Sequence, residues 1–277
     1  MIRLYEKENH AKTYAVYRPD YPISVAEEII SYVRRKSGLQ KGDNIPVMVD
    51  IGCGTGQSTK LFQPYVSKIV SIDPSENQIE QAKIFNSAPN VTYFVGKAES
   101  MPVDDESVDI VCAGTSIHWV DFGCFFKECS RVLKPSGSIA LYAYGKPNIT
   151  QLDRSPDPSA ASILSNLCSE CISHERTSHV GDKYSRIFDM ITCADKTRSD
   201  FHKIEKELSL EEFSKYASTW SSYHTFLKNK EDSQSDILKD FGKDLKKLWH
   251  VEHLRDDEIK LFVTWDVFIL LSGRPWK

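Results

Sequence analysis

Between residues 24 and 36 the apolar positions Val25, Ile29, Ile30 and Val33 recur at helical spacing, which predicts a helix with Ser24 as its N-cap and Gly38 as its stop. The apolar run 46–51 that follows is strand-like and ends in the cluster Gly52-Cys53-Gly54-Thr55-Gly56, after which the pattern turns helical again. This grammar repeats. Strands are predicted at 68–73, 91–95, 108–113 and 137–142, with helices through about Phe85 and from Val120 to Leu133, and a turn at Lys134-Pro135-Ser136-Gly137 leading into the last of these strands. Alternating strands and helices predict a parallel sheet covered on both faces, and such sheets bind ligands beyond the carboxyl ends of their strands.

From about Gly145 the alternation stops. Pro147, Pro156 and Pro158 read as a connecting stretch, and helical patterns run over 159–174 and 209–250. Residues 197–208 alternate loosely and 259–271 form a strong strand candidate, so two late strands enclosing helices are expected to finish the sheet as an antiparallel hairpin.

Composition narrows the class. With 277 residues, 40% hydrophobic, 27% charged and a net charge of −4, the chain reads as one ordinary globular domain with insertions. Such a charge offers no general attraction for nucleic acid. Charges at the N-terminus argue against a signal peptide, no segment approaches a membrane span, and seven cysteines read as free thiols, so a cytoplasmic protein with no membrane partner and no obligate protein partner is expected. Cys168, Cys171, His174 and His179 lie too close along one predicted helix to suggest zinc, and no metal is expected.

The glycine cluster is where chemistry first becomes readable. Glycines there let the backbone close on a ligand, and the next helix presents unpaired N–H groups to it. The spacing G-x-G-x-G differs from the dinucleotide fingerprint, whose last glycine falls one residue later, and Asp50 before it suits a ligand carrying an ammonium better than a pyrophosphate. Asp73, at a strand end 17 residues after Gly56, suits the two hydroxyls of a ribose.

Residues 49–56, Ile72-Asp73-Pro74-Ser75, Gly96-Lys97-Ala98-Glu99-Ser100-Met101-Pro102, Val108-Asp109-Ile110-Val111 and 131–137 together resemble, in order, the motifs of the class I S-adenosylmethionine-dependent methyltransferases. The segments 14–22, Ile117-His118-Trp119-Val120-Asp121 and 210–224 resemble a branch of that family containing the fungal trans-aconitate methyltransferases. Two positions depart from the family pattern: Lys97 stands where relatives carry an acidic residue for the adenine amino group, and Gln78 where an apolar residue commonly packs on adenine.

The resemblance implies an α/β, Rossmann-like seven-stranded, mostly parallel sheet whose last pair is an antiparallel hairpin, with a helical cap. Residues 1–45 would form a lid and helix, 46–144 the cofactor-binding core, and 145–277 the cap insertions and final strands. It implies S-adenosyl-L-methionine as cofactor, contacted by Tyr14, Asp50, Gly52, Cys53, Gly54, Gly56, Asp73, Gln78, Ala98, Glu99 and Thr115. The expected substrate is a small molecule, an organic acid esterified on its carboxylate, with Arg18, Trp119, Trp220 and Tyr223 around it. His118 is the candidate base or hydrogen-bond donor to a substrate anion. The alternatives are methylation of protein or RNA, and a module that binds the cofactor without turnover; an NAD-dependent dehydrogenase is disfavoured by the glycine spacing.

Overall fold

The computed structural model describes residues 8–152, 155–171, 174–230 and 235–275. In chain order the elements are α1 (Glu8–Tyr17), α2 (Ile23–Ser37), β1 (Ile45–Ile51), α3 (Gln57–Phe62), β2 (Val66–Asp73), α4 (Glu76–Phe85), β3 (Val91–Val95), β4 (Val108–Gly114), α5 (Phe122–Val132) and β5 (Leu133–Gln151). They continue with α6 (Pro158–Glu170), α7 (Ser178–Gly181), α8 (Ser185–Met190), β6 (Thr197–Ser209), α9 (Leu210–Ala217), α10 (Ser221–Asn229), α11 (Ile237–Trp249) and β7 (Lys260–Gly273).

Seven strands form one sheet in the order β3-β2-β1-β4-β5-β7-β6, parallel from β3 through β5, with β7 antiparallel to β5 and β6 antiparallel to β7. The expected architecture is therefore the observed one. Neighbouring residues of each central strand enter different cores: Met48, Ile110, Cys112 and Ala140 face one apolar cluster, and Val49, Val111, Ile139 and Leu141 the other. A strand buried on both faces reads as a continuous apolar run, which is why these strands were legible. The first cluster takes in α2, α6, α9 and α11; the second takes in α5 and α8 through Phe125, Tyr184 and Ile187. Helices after residue 145 thus contribute to both faces.

Local chemistry sets the helix ends. Gly38, with φ 71°, closes α2 by donating to the Arg34 carbonyl, and Ser209 with Glu212 forms a reciprocal capping box at α9. The helix predicted over 120–133 begins later, because Asp121 accepts from the Cys124 N–H and caps it.

Three expectations are corrected. Ser24 is not a cap: Pro22 holds that position and the Ser24 hydroxyl is bonded to His202. The turn at 134–137 is an excursion within β5, since Val108 pairs with Leu133 but Ile110 with Ser138. The stretch after Gly145 stays in the sheet to Gln151, with Pro147 opposite Trp265 beside a register shift where a missing N–H is tolerated.

Candidate functional site

The carboxyl ends of β1, β2 and β4 meet at the point where strand order reverses, the place this architecture reserves for ligands. After β1 the chain turns through Gly52, Gly54 and Gly56, all left-handed, with φ 63°, 55° and 88°. At Gly52 a Cβ would stand 2.4 Å from the Ser116 Cβ, so only glycine fits; at Gly54 the nearest atom is Gln78 Oε1 at 3.9 Å, leaving the approach open.

Asp73 ends β2 and anchors the loop: one carboxylate oxygen accepts from the Gly54 N–H at 3.0 Å and the other from Ser75 N–H at 2.9 Å. Burial raises its pKa to about 6 against those two bonds. Each oxygen keeps a lone pair for a further donor.

Asp50 is fully buried, its oxygens accepting from the Thr59 hydroxyl at 2.6 Å and the Ser58 hydroxyl at 3.1 Å, so it pins α3 beneath the loop. Burial pushes its pKa up to about 7. Cys53, also buried, has its thiol pKa held well above the usual range by desolvation and the nearby Asp73 and Asp50 carboxylates, so it stays protonated.

Thr55 Oγ1 in the loop, Gln78 Oε1 near Gly54 and Glu99 Oε2 after β3 are buried without a hydrogen-bond partner. Orphaned buried polar atoms are costly, and the two at the open glycine turn fit a polar, nucleoside-bearing ligand. Glu99 also accepts from the Asp121 N–H at 2.9 Å, and Ala98 is buried beside it.

On the other side of β4 lies a cavity of about 470 Å³. Tyr14, Arg18, Thr115, His118, Trp119 and Trp220 line it, so the structure brings together predicted residues that are up to 206 positions apart. Arg18 donates from Nε to Thr219 Oγ1 at 2.8 Å, from Nη2 to the Thr219 carbonyl at 3.1 Å and from Nη1 to the Tyr144 hydroxyl at 3.1 Å. Its guanidinium also lies over the Tyr14 and Tyr216 rings. Thr115 adopts a left-handed φ of 50° and shares a 2.5 Å hydrogen bond with the Tyr21 hydroxyl.

His118 is 4% exposed, with Nδ1 2.8 Å from the Tyr184 hydroxyl. Burial, with His179, Arg176, Arg18 and His174 nearby, lowers its pKa to about 3, so the imidazole is neutral at pH 7. A neutral imidazole there can still hydrogen-bond to an anion but brings no charge to it.

Tyr223 is corrected as well. It packs on Phe226 in the first core, its hydroxyl bound to Asp236, and is not among the residues lining the cavity. Sequence reasoning missed Tyr144, Lys146, His174 and Tyr216, which do line it. Only Tyr144 carried a signal, lying two residues after Tyr142 on the same face of a strand. His174 packs at a tilt against Trp119, ring centroids 5.4 Å apart, and accepts the Arg176 N–H on Nδ1. Among the described residues no group of His, Cys, Asp or Glu is placed to hold a metal, and no helix is long and apolar enough to cross a membrane.

A family model described as a methyltransferase domain matches residues 49–141. A Dictyostelium discoideum protein provisionally named a methyltransferase is 27% identical over 95% of this chain and 93% of its own length. CRG1 of Saccharomyces cerevisiae, provisionally named an S-adenosylmethionine-dependent methyltransferase, is 24% identical over 93% of both. A solved structure from Anaeromyxobacter dehalogenans, provisionally described as a type II methyltransferase, shares the fold with a TM-score of 0.71, 24% identity and coverage of 95% of this chain and 100% of that one.

Proposed function

We propose that this S-adenosylmethionine-dependent methyltransferase, with S-adenosyl-L-methionine as its cofactor, methylates a small organic acid on a carboxylate. The observation that carries this reading is Arg18, a guanidinium fixed by Thr219 and Tyr144 at the wall of a cavity that also contains Lys146. Arg18 and Lys146, set against the one carboxylate among the described lining residues, Glu175, leave the cavity walls net cationic, and with the aromatic walls they favour an anion with an apolar or planar body. The resemblance to the trans-aconitate branch supports the same acceptor class.

When bound, the cofactor supplies a methyl group on a positively charged sulfur. The glycine loop would receive its methionine portion, Asp73 the ribose hydroxyls, and Ala98 and Glu99 the adenine side, with Gln78 Oε1 and Thr55 Oγ1 available to its polar atoms. Asp50 holds α3, and so the loop, in place. In this reading residues 46–144 are the cofactor-binding core, the first 45 a lid and helix, and 145–277 the cap and closing strands.

A carboxylate is already a nucleophile at pH 7 and needs no base. That suits His118, whose lowered pKa makes it a weak base and leaves it a neutral hydrogen-bonding group beside Trp119. The chain's task is alignment: Arg18 and Lys146 orient the anion, while the tryptophan and tyrosine walls exclude water.

Offering small tri- and dicarboxylic acids beside their amides, with labelled cofactor, tests the reading. Label in the acids and not the amides supports it, and label only in protein or RNA from an extract overturns it.

A further inference from the structure

Away from the cavity, at the sheet edge formed by β6, a serine, a histidine and a carboxylate stand in hydrogen-bonded sequence. Ser24 Oγ lies 2.9 Å from His202 Nδ1, and His202 Nε2 lies 2.6 Å from Glu28 Oε2, which also accepts from Ser199 Oγ at 3.1 Å. None of the four lines the cavity described above. We propose that Ser24, His202 and Glu28 form a second catalytic site, one that cleaves esters of apolar acyl groups by way of an acyl-serine.

The protonation pattern follows from the partners. A carboxylate on Nε2 holds the imidazole proton there, so Nδ1 is the acceptor and the Ser24 hydroxyl donates to it. This is the arrangement that activates a serine: a base in contact with the hydroxyl, and a third group orienting the base.

Backbone geometry builds the constellation. Ser199 and His202 are three residues apart and would point to opposite faces of a regular strand. The register shift in β6, with Ser199 opposite Ile269 and His202 opposite Val267, turns both onto Glu28 and leaves Phe201 90% exposed. Ser24 and Glu28 are i and i+4 on α2, hence on one helix face. No side chain caps the first turn of this 15-residue helix, where Ser24 sits; the Val25 N–H is taken by the Pro22 carbonyl at 3.0 Å, which leaves the Ile23 and Ser24 N–H groups to meet an oxyanion formed on the carbon that Ser24 attacks. Phe201 and Ile23, next in sequence to His202 and Ser24, are 90% and 51% exposed, and in this proposal these apolar side chains take the acyl group.

In the reaction the Ser24 Oγ–acyl carbon bond forms and the ester C–O bond breaks, while the hydroxyl proton passes through His202 Nδ1 to the departing alkoxide. Water, deprotonated by the same nitrogen, then releases the acid and restores Ser24. Glu28 holds the imidazolium, and Ser199 holds Glu28.

The test uses the full chain with 4-nitrophenyl butyrate and with a fluorophosphonate probe. Phosphonylation is expected at Ser24, with hydrolysis falling about 100-fold in Ser24→Ala and about tenfold or more in His202→Gln and Glu28→Gln. Each variant should keep the wild-type rise in melting temperature with S-adenosylhomocysteine, which verifies the fold. Absence of a Ser24 adduct, undiminished hydrolysis in Ser24→Ala, or undiminished labelling in His202→Gln overturns the proposal.

Discussion

Arg18 and Thr219 are joined by two hydrogen bonds across 201 positions of sequence, Nε to Oγ1 at 2.8 Å and Nη2 to the carbonyl oxygen at 3.1 Å. The pair ties the segment after α1 to the segment after α9 and aims a guanidinium at the cavity. Lysine at this position keeps the charge and loses the fork. Arg18→Lys is therefore expected to lower kcat/KM for the acceptor about 10- to 100-fold, through loss of charge-assisted bonds worth about 1.5–3 kcal/mol. Cofactor affinity, measured by calorimetric titration, should change little. Equal losses for acceptor and cofactor would mark Arg18 as a general structural tie.

Gly52 and Gly54 should separate folding from cofactor binding. Alanine at Gly52 drives a Cβ into Ser116, whereas alanine at Gly54 meets nothing closer than 3.9 Å. Both pay for a left-handed φ, about 1–2 kcal/mol. Gly54→Ala should thus fold with a modestly lowered melting temperature yet lose most of the shift given by S-adenosylhomocysteine, while Gly52→Ala should be destabilised by clearly more. A full ligand shift in Gly54→Ala would place the cofactor elsewhere.

Asp50 makes a pH prediction. Its folded pKa of about 7 exceeds its ordinary value of 3.8, so between these values the folded protein binds more protons than the unfolded one. The contribution of this group is fully present below about pH 4 and is lost as pH rises to about 7, on the order of 4 kcal/mol. Asp73, raised to about 6, acts in the same direction, and His118, lowered to about 3, in the opposite one. Comparing variant with wild type isolates Asp50: chemical denaturation should show Asp50→Asn gaining stability relative to wild type from pH 4 to 7 and levelling above. A constant difference across that range contradicts the assignment.

His118 is expected to contribute no acid limb. With cofactor and acceptor saturating, kcat of wild type and of His118→Gln should follow the same pH dependence from 5.5 to 8, the variant losing less than about tenfold. A general base in that role would be worth about 10²–10⁴ and would impose a tenfold fall per pH unit below its pKa.

What was legible in the sequence was whatever depends on neighbours in the chain. Strands buried on both faces read as apolar runs, and the turn at Gly52 to Gly56 carried its own signal. The tie from Asp50 to α3 was not legible, because it depends on Ser58 and Thr59 rising from that helix to meet its oxygens. Trp220 and Tyr223 share one short stretch, and only packing decided that the first lines the cavity while the second joins Phe226 in the core. Pro147 disguised six further residues of β5 because a proline beside a bulge reads as a strand's end.

The most direct test of the central claim is methyl transfer from labelled S-adenosylmethionine to a fractionated small-molecule extract, followed by mild alkali. Label recovered in small anionic acceptors and released by alkali as volatile methanol is the predicted result, because a methyl ester is hydrolysed under those conditions. Label that stays in an alkali-stable product, or enters only protein or RNA, would contradict it.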